Sequence, residues 1–189
     1  MVLLVKKTTL YKERNEKKRE EFFLEVDSIE ISNRVYLDES GIDNNNYRKY
    51  ARSFKGKRAF GDIIGGKKER YSIIAALCEK NIKAPFVFKG NTNTETFNKW
   101  LESSLIPELK TGQTVIMDNA SFHKSEKTRN LIEGAGCRLL YLPPYSPDFN
   151  PIENYWAITK KRLRSKKFKY KNLISNIYAA LKLNVNTLP

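Results

Sequence analysis

Short apolar runs and amphipathic segments alternate along this chain of 189 residues. Runs that are rich in β-branched and aromatic residues and bounded by turn-forming residues are typical of strands. On this basis we predict five strands, over residues 34–41, 71–79, 83–90, 113–120 and 137–144. The first should stop at Asp38 or just after it, and a short turn near Asn81 joins the second and third.

Apolar residues recur at helical spacing between and after these strands. The helix that follows the third strand has Thr92 and Glu95 in the arrangement of a capping box. Further helices are predicted over residues 125–136, from Pro151 into a basic region, and in the segment NLISNIYAALKL near the end of the sequence.

Strands mixed with helices in this order predict an α/β fold with a mixed central sheet flanked by helices. The length suffices for one domain with a core. We divide the chain into an N-terminal linker or helix, residues 1–33, which is charged and has a thin apolar stripe, and a domain over 34–189. Residues 42–70 are polar, basic and glycine-bearing, and predict a long loop or hairpin.

The composition narrows the kinds of site that the chain could hold. It contains two cysteines, far apart in sequence, and one histidine, so a disulfide framework and a zinc site of His and Cys ligands are not expected. A metal would need carboxylate oxygens, which favour Mg²⁺ or Mn²⁺. No apolar run approaches the roughly 18 residues of a membrane span. The first charges follow the apolar start, the reverse of a signal peptide, so we expect a cytoplasmic protein with no membrane partner.

Basic residues are concentrated in two parts of the chain, whose net charge is +14. Residues 44–70 contain nine basic and two acidic groups, and residues 154–189 contain nine basic groups and no acid. From the charge alone, two interpretations stay open: a solvated face or tail, or a polyanionic partner, with nucleic acid first.

Two aspartates stand at the ends of apolar strands. Asp38 follows VYL and Asp118 follows VIM, and the carboxyl ends of strands are where α/β sheets place their sites. A lone aspartate at such a position is usually a turn or cap residue. Two in one sheet, with no buried base to match them, favour a bound cation, because a desolvated carboxylate needs a partner.

Glu153 has a local interpretation and a functional one. In NPIE, Asn150 would be the N-cap of a helix, Pro151 its first residue and Glu153 the residue that reaches back to the cap. Alternatively, the glutamate projects towards Asp38 and Asp118 from a helix that follows the last strand. Three acids would then converge from two strand ends and a helix start.

Three ordered motifs closely resemble the catalytic domain of DDE transposases: YLDESG, VIMDNASFHKS and YLPPYSPDFNPIENYW. The resemblance is to the bacterial insertion-sequence branch of the Tc/mariner superfamily, and it covers roughly residues 6–180. Asp118 and Glu153 are separated by 34 residues (119 to 152), as in that branch. The resemblance implies a ribonuclease H-like fold and catalysis by two Mg²⁺ or Mn²⁺ ions at the acids Asp38, Asp118 and Glu153.

The same resemblance implies a reaction on DNA. Relatives cleave transposon ends hydrolytically, and the freed 3′-hydroxyl then attacks target DNA. Segment 44–70 falls where relatives insert a loop that contacts DNA or a partner subunit, and we expect a homodimer on DNA. Six basic residues are the candidates for DNA contacts: Lys55, Lys57, Arg58, Lys124, Lys160 and Arg164.

Further residues of the motifs are candidates to support the acids: Asn119, His123 and Asn154. His123 would either touch the scissile phosphate or order the site, or it would hold the turn by a local hydrogen bond. Trp156 is predicted as a core anchor. Glu39 should point to the opposite side of its strand from Asp38, so it is left out of the acid triad.

Full-length relatives begin with helix-turn-helix modules, whereas this sequence starts at what resembles the linker after them. A separately encoded module is one interpretation, and a truncated or frameshifted copy is the other. The alternative functions are therefore a catalytically silent DNA-binding remnant and a general ribonuclease H-like nuclease.

Overall fold

The computed structural model describes residues 11–43, 52–60, 70–164 and 173–185. These residues form one five-stranded sheet in the order β3-β2-β1-β4-β5. The bounds are Arg34–Asp43 (β1), Arg70–Cys78 (β2), Asn81–Lys89 (β3), Thr114–Met117 (β4) and Arg138–Tyr141 (β5). The first three strands pair antiparallel, and β4 pairs parallel with both β1 and β5. The predicted α/β fold with a mixed sheet is confirmed.

Five helices flank this sheet: Glu16–Asp27 (α1), Thr94–Trp100 (α2), Glu126–Gly134 (α3), Ile152–Arg164 (α4) and Leu173–Val185 (α5). A π-helical turn, Leu101–Leu105, and a 3₁₀ turn, Ile106–Glu108, extend α2. Short 3₁₀ turns also occur at Ile31–Asn33, Ser121–His123 and Pro147–Phe149. None of the helices in the described part of the chain has the length and apolar character to cross a membrane.

Both faces of the sheet are covered. On one face, Val35 and Leu37 of β1 pack against Phe97 and Trp100 of α2. The other face has two clusters. In the larger one, β2 packs against α4 and α5 through the buried residues Ile73, Ala75, Tyr155, Trp156, Ile177 and Leu181. In the smaller one, α1 packs Phe22 and Val26 against Ile116 and Leu142. Strand β1 thus lies at the centre, and its side chains reach helices on both sides.

Several predicted boundaries are wrong. Strands β4 and β5 end at Met117 and Tyr141 rather than at residues 120 and 144, and contacts explain two further differences. Strand β1 does not stop near Asp38 but continues to Asp43, because β2 pairs with it as far as the pair Asp43 and Arg70. The cap of α2 is Asn93 rather than Thr92, since the Asn93 side chain accepts the backbone N–H of Thr96. In both cases the pairing or cap moved the boundary by a few residues and left the type of element unchanged.

Part of the predicted long loop lies within the described residues. Residues 52–60 are exposed and irregular, with a turn at Gly56, whose positive φ of 82° suits a glycine. Lys55, Lys57 and Arg58 are all exposed there. The remainder of segment 42–70, at 44–51 and 61–69, lies outside the described residues.

Candidate active site

Asp38, Asp118 and Glu153 line a single cleft of about 540 Å³. Asp38 lies on β1, and Asp118 directly follows the neighbouring parallel strand β4. The last bridging pair of these strands is Tyr36 and Ile116, and continuing that register by two residues brings Asp38 level with Asp118. The volume falls in the range of about 300–1,000 Å³ that is usual for ligand sites. The structure therefore places in one cleft the three acids that the motifs single out.

Asp38 lies deepest among the three acids, with 8% of its surface exposed. The indole Nε1–H of Trp156 donates to its Oδ2 at 2.9 Å. Burial raises the pKa of Asp38 to about 8, and the negative charges of Glu153 and Glu39 add to that rise. The charged groups that act on the Asp38 carboxyl are thus acids.

Asp118 is half exposed and has stronger donors. Its Oδ1 accepts the backbone N–H of Ala120 at 2.9 Å and lies 2.7 Å from Nδ1 of His123. Burial alone would raise the pKa of Asp118, but the hydrogen bonds from His123 and Ala120 outweigh it and lower the pKa. Asp118 is therefore ionised at neutral pH.

His123 joins Asp118 to a fourth acid. Its ring is fully buried in the 3₁₀ turn after β4, within 4.5 Å of the ring centroid of Phe97, and its Nε2 lies 2.9 Å from Oε1 of Glu39. Burial alone would lower the pKa of His123, but the hydrogen bonds to Asp118 and Glu39 raise it to about 9. An imidazolium with both N–H groups donating matches this arrangement.

Glu153 does not form the predicted capping box. The backbone N–H of Asn150, which the glutamate would have to reach, donates to the carbonyl of Pro147 at 2.9 Å. The Asn150 side chain does not cap α4 either: its Nδ2 donates to the carbonyl of Leu37 at 3.3 Å, and its buried Oδ1 has no donor among the described residues. Glu153 is exposed and faces the cleft.

The asparagine side chains connect the elements around the cleft. Asn150 ties the start of α4 to β1 beside Asp38, and Asn119 donates to the carbonyl of Leu142, which ties the end of β4 to the end of β5. Asn154 is exposed on α4 and is not among the residues that line the cleft.

The six candidate DNA contacts lie outside the lining of the cleft. Lys124 follows His123 and is exposed, and its charge contributes to the lowered pKa of Asp118. Lys160 and Arg164 lie on α4, where Lys160 is half-buried and Arg164 is exposed. None of the six lines the cleft, and of them Lys124 acts on an acid, through its charge on Asp118.

Two residues in contact with the acids were assigned no role there by the sequence. Trp156 is the predicted core anchor, 2% exposed, but it also donates to Asp38. Glu39 does lie on the opposite face of β1 from Asp38, yet it reaches the site through His123. The spacing of three residues between Glu153 and Trp156 was the available signal for the first. Nothing in the sequence pairs Glu39 with His123.

Metal-ligating side chains are not clustered tightly here: within the described ranges, no group of three or more His, Cys, Asp or Glu residues is arranged to hold a metal ion. The residues that line the cleft are nevertheless suited to a hard cation, because Asp38, Asp118 and Glu153 supply oxygen ligands.

A mixed sheet with three acids in one cleft is the arrangement of a DDE-type endonuclease domain. The model of the DDE superfamily endonuclease family matches residues 33–174, and the chain belongs to that family. The chain is 49% identical over 41 residues to the Tc3 transposase of Caenorhabditis elegans, which covers 22% of this chain and 12% of that protein.

Solved structures of Mos1 transposase share the fold. The Mos1 strand transfer complex has a TM-score of 0.75 at 18% identity, over 100% of this chain and 59% of that chain. The Mos1 paired-end complex with Mg has a TM-score of 0.75 at 16% identity, over 99% of this chain and 60% of that one. The predicted ribonuclease H-like fold is thereby confirmed. The chain spans about three fifths of the Mos1 chains that it matches.

Proposed function

We propose that this chain is the catalytic domain of a DNA transposase that cleaves phosphodiester bonds at transposon ends and joins the ends to target DNA. One observation carries the proposal. Asp38, Asp118 and Glu153 are far apart in sequence, but all three line one cleft at the edge of the parallel strands. Membership of the DDE superfamily endonuclease family supports the same reaction class.

In this proposal, Asp38, Asp118 and Glu153 hold divalent metal, two Mg²⁺ or Mn²⁺ ions. Two such ions, when bound, activate the attacking oxygen and stabilise the leaving oxygen of a phosphodiester displacement. Mos1 structures with Mg and with Mn support this choice of metal. The low-pKa carboxylate of Asp118 provides negative charge at neutral pH, and Glu153 faces the same cleft from α4.

The neighbouring side chains orient these acids. Trp156 fixes one oxygen of Asp38 through its indole N–H, and His123 fixes one oxygen of Asp118. Both recorded donors to Asp118 use Oδ1, so Oδ2 of Asp118 is the oxygen proposed to bind a cation. Asn119 is proposed to hold the strand ends in place, and Asn154 remains a prediction without a contact that explains it.

DNA is the proposed partner, in complexes that pair two transposon ends on a homodimer. The Mos1 paired-end complex with the left transposon end is a structural neighbour with a TM-score of 0.71. The basic candidates are exposed or half-buried outside the acid cleft, where phosphates could approach without meeting the acids: Lys55, Lys57, Arg58, Lys124, Lys160 and Arg164. A separately encoded helix-turn-helix module is a further proposed partner.

The proposal is tested by nicking and strand transfer on duplex DNA that carries the ends of the element, with and without Mg²⁺ or Mn²⁺. We expect activity only with metal, and loss of activity in Asp118→Ala and Glu153→Gln. Glu126→Gln is the matched control, because Glu126 is likewise an exposed glutamate in the first turn of a helix, α3. Its activity should equal that of the wild type.

A second readout is independent of turnover. Mg²⁺ or Mn²⁺ should raise the melting temperature of the wild type, and the rise should shrink in Asp118→Ala. Equal cleavage by the wild type and Asp118→Ala would contradict the proposal that this chain is a transposase catalytic domain. Salt-sensitive DNA binding without metal-dependent cleavage would indicate the silent remnant instead, and preference for RNA–DNA hybrids would indicate a general nuclease.

A further inference from the structure

Glu153 is positioned differently from the two aspartates of the cleft. Asp38 lies on β1 and Asp118 directly follows β4, so the pairing of these parallel strands fixes both. Glu153 lies in the first turn of α4, where the backbone N–H groups lack partners within the helix. Its place relative to the aspartates therefore depends on how the chain enters α4.

A short hydrogen-bonded run leads the chain into α4. The 3₁₀ turn Pro147–Phe149 comes directly before Asn150, whose backbone N–H donates to the carbonyl of Pro147 at 2.9 Å. The backbone N–H of Glu153 donates in turn to the carbonyl of Asn150 at 3.1 Å. A displacement of the 3₁₀ turn would therefore reach Glu153 through two backbone hydrogen bonds.

Helix α1 holds this turn from outside. The Arg19 guanidinium donates to both carboxylate oxygens of Asp148, at 3.0 and 2.7 Å, and its Cζ lies 4.1 Å from the ring centroid of Phe149. Phe22 stacks on the same ring, with the centroids 5.5 Å apart. Arg19 and Phe22 share a face of α1, because residues three apart on a helix are neighbours. We call Arg19, Phe22, Asp148 and Phe149 the Arg19 cluster.

The same helix also packs on the sheet beside Asp118. Phe22 is buried and packs, with Val26, against Ile116 of β4. Ile116 is two residues before Asp118. Helix α1 thus contacts both the strand that leads to Asp118 and the turn that leads to Glu153, and it connects the supports of these two acids.

The ion pair of the Arg19 cluster differs from an ordinary surface pair. The Arg19 side chain is only 11% exposed, and a bidentate arginine–carboxylate pair fixes the orientation of both groups as well as their distance. The hydrogen bond from Arg19 lowers the pKa of Asp148, so the pair stays charged at neutral pH. Such a pair restricts the conformation of the turn that contains Asp148.

We propose that Arg19 is a positioning residue for the cleft: through Asp148 it holds the turn Pro147–Phe149 so that Glu153 faces Asp38 and Asp118. The proposal rests on the proposed function, since it takes these three acids as the ligands of divalent metal. It gives α1, which does not carry any of the three acids, a part in metal binding.

A second ion pair of α1 provides the matched control. Glu25 pairs with Arg138, which connects α1 to β5 instead of to the turn before α4. The side chains of Glu25 and Asp148 are similarly exposed, at 36% and 40%. Glu25→Gln and Asp148→Asn each remove one carboxylate charge from a contact of α1, but only Asp148→Asn acts on the turn that leads to Glu153.

The test measures Mn²⁺ affinity in the full chain without DNA, from the electron paramagnetic resonance signal of free Mn²⁺. Asp148→Asn should weaken Mn²⁺ binding about 10-fold, as for residues that orient metal ligands, whereas Glu25→Gln should bind like the wild type. Arg19→Gln should show the same loss as Asp148→Asn, and the double variant no further loss, because both groups act through one contact. Arg19→Lys, which keeps the charge without the bidentate geometry, should lie in between.

Urea denaturation separates positioning from stability. Asp148→Asn and Glu25→Gln should unfold at similar urea concentrations, so that a difference in Mn²⁺ affinity reflects the position of Glu153. On DNA that carries the ends of the element, Asp148→Asn should lower kcat and leave KM for the DNA unchanged.

Mn²⁺ affinity in Asp148→Asn equal to that of the wild type, or an equal loss in Glu25→Gln, overturns the positioning role. These outcomes are separable from those of the proposed function. Metal-dependent cleavage that is the same in Asp148→Asn and the wild type removes the positioning role and leaves the transposase. Mn²⁺ binding that depends on Asp148 and Arg19, without cleavage of DNA in any metal, removes the catalytic proposal and leaves the positioning role.

Discussion

Asp38 and Asp118 stand level with each other on neighbouring parallel strands, yet they are held in opposite ways. Asp38 is buried, accepts from a neutral indole and has two acids near it, and its pKa is raised to about 8. Asp118 is half exposed and accepts from the His123 imidazolium, and its pKa is lowered. The same residue type at matching positions is thus mainly neutral at Asp38 and negatively charged at Asp118 at neutral pH.

The difference comes from the two faces of the sheet. Trp156 reaches Asp38 from α4 on one face. His123, which also contacts Glu39, reaches Asp118 and packs against Phe97 of α2, which covers the other face. Burial and the charges of Glu153 and Glu39 raise the pKa of Asp38 despite the hydrogen bond from the indole, whereas the hydrogen bonds from His123 and Ala120 outweigh burial and lower the pKa of Asp118. The site therefore combines one neutral acid and one charged acid. Replacing single residues around either acid tests the cause of this difference.

The largest expected effect is on the pH dependence of stability in metal-free protein. The pKa of Asp38 rises on folding from 3.8 to about 8, and that of His123 from 6.5 to about 9. The folded state then binds more protons than the unfolded state, so both shifts stabilise the fold at low pH and the unfolding free energy falls as pH rises from about 4 to 9. For Asp38 the change is on the order of 5 kcal/mol, at about 1.4 kcal/mol per pKa unit.

Urea denaturation across this pH range measures the effect. The difference between the wild type and Asp38→Asn isolates the part between pH 4 and 8, and the difference from His123→Gln isolates the part between pH 6.5 and 9. Parallel pH profiles for the wild type and Asp38→Asn would contradict the raised pKa of Asp38.

The next effect concerns the donor to Asp38. Trp156→Ala leaves a cavity in the core and should lower the unfolding free energy by about 3–5 kcal/mol. Trp156→Phe keeps an aromatic ring but removes the N–H, and should cost about 1–3 kcal/mol for the unpaired carboxyl. A Trp156→Phe variant as stable as the wild type, measured by chemical denaturation, would mean that the hydrogen bond to Asp38 contributes little.

A smaller effect is expected on the pKa of His123, the partner of the ionised Asp118. His123 is the only histidine in the sequence, so its pKa is measurable by NMR titration without ambiguity. Glu39→Gln keeps an acceptor but removes the charge, and should lower the pKa of His123 from about 9 towards its ordinary value. In the active protein, metal-dependent cleavage should fall about 10- to 100-fold, as when a residue that orients a ligand is lost.

Glu79→Gln is a control for this substitution, because Glu79 follows Cys78 at the end of β2, whereas Glu39 pairs with Ile74 in the middle of that strand and contacts His123. An unchanged pKa of His123 in Glu39→Gln would show that Asp118 alone sets it.

The smallest effects are expected on the salt dependence of DNA binding when one lysine near Asp118 or one lysine on α4 is replaced. Lys124 lies beside Asp118, and Lys160 lies on α4 with Trp156. Replacing either with alanine should reduce the slope of log K against log salt by about 0.9 for each lost phosphate contact. Lys127, which pairs with Glu102 at 3.0 Å, provides the control, and Lys127→Ala should leave the slope unchanged. An unchanged slope in both test variants would exclude these lysines from the DNA contacts.

Much of this site was predictable from local sequence. The apolar runs before Asp38 and Asp118 predict the strands that place them, and the motif around Glu153 predicts the helix that follows the last strand. The capping box at Asn150, one of two interpretations of NPIE, does not form, because the groups of Asn150 have other partners. The Asn150 side chain donates to the carbonyl of Leu37, 113 residues away.

The sequence by itself determined the order of the elements, the family and the three acids, because strand and helix patterns and motif spacing are local properties. Only the tertiary structure decided which acid is neutral and which is charged. Trp156 and Asp38 are 118 residues apart, and Glu39 and His123 are 84 apart. Burial and the charge of the donor set a pKa, and both come from whichever elements the fold packs against the carboxyl.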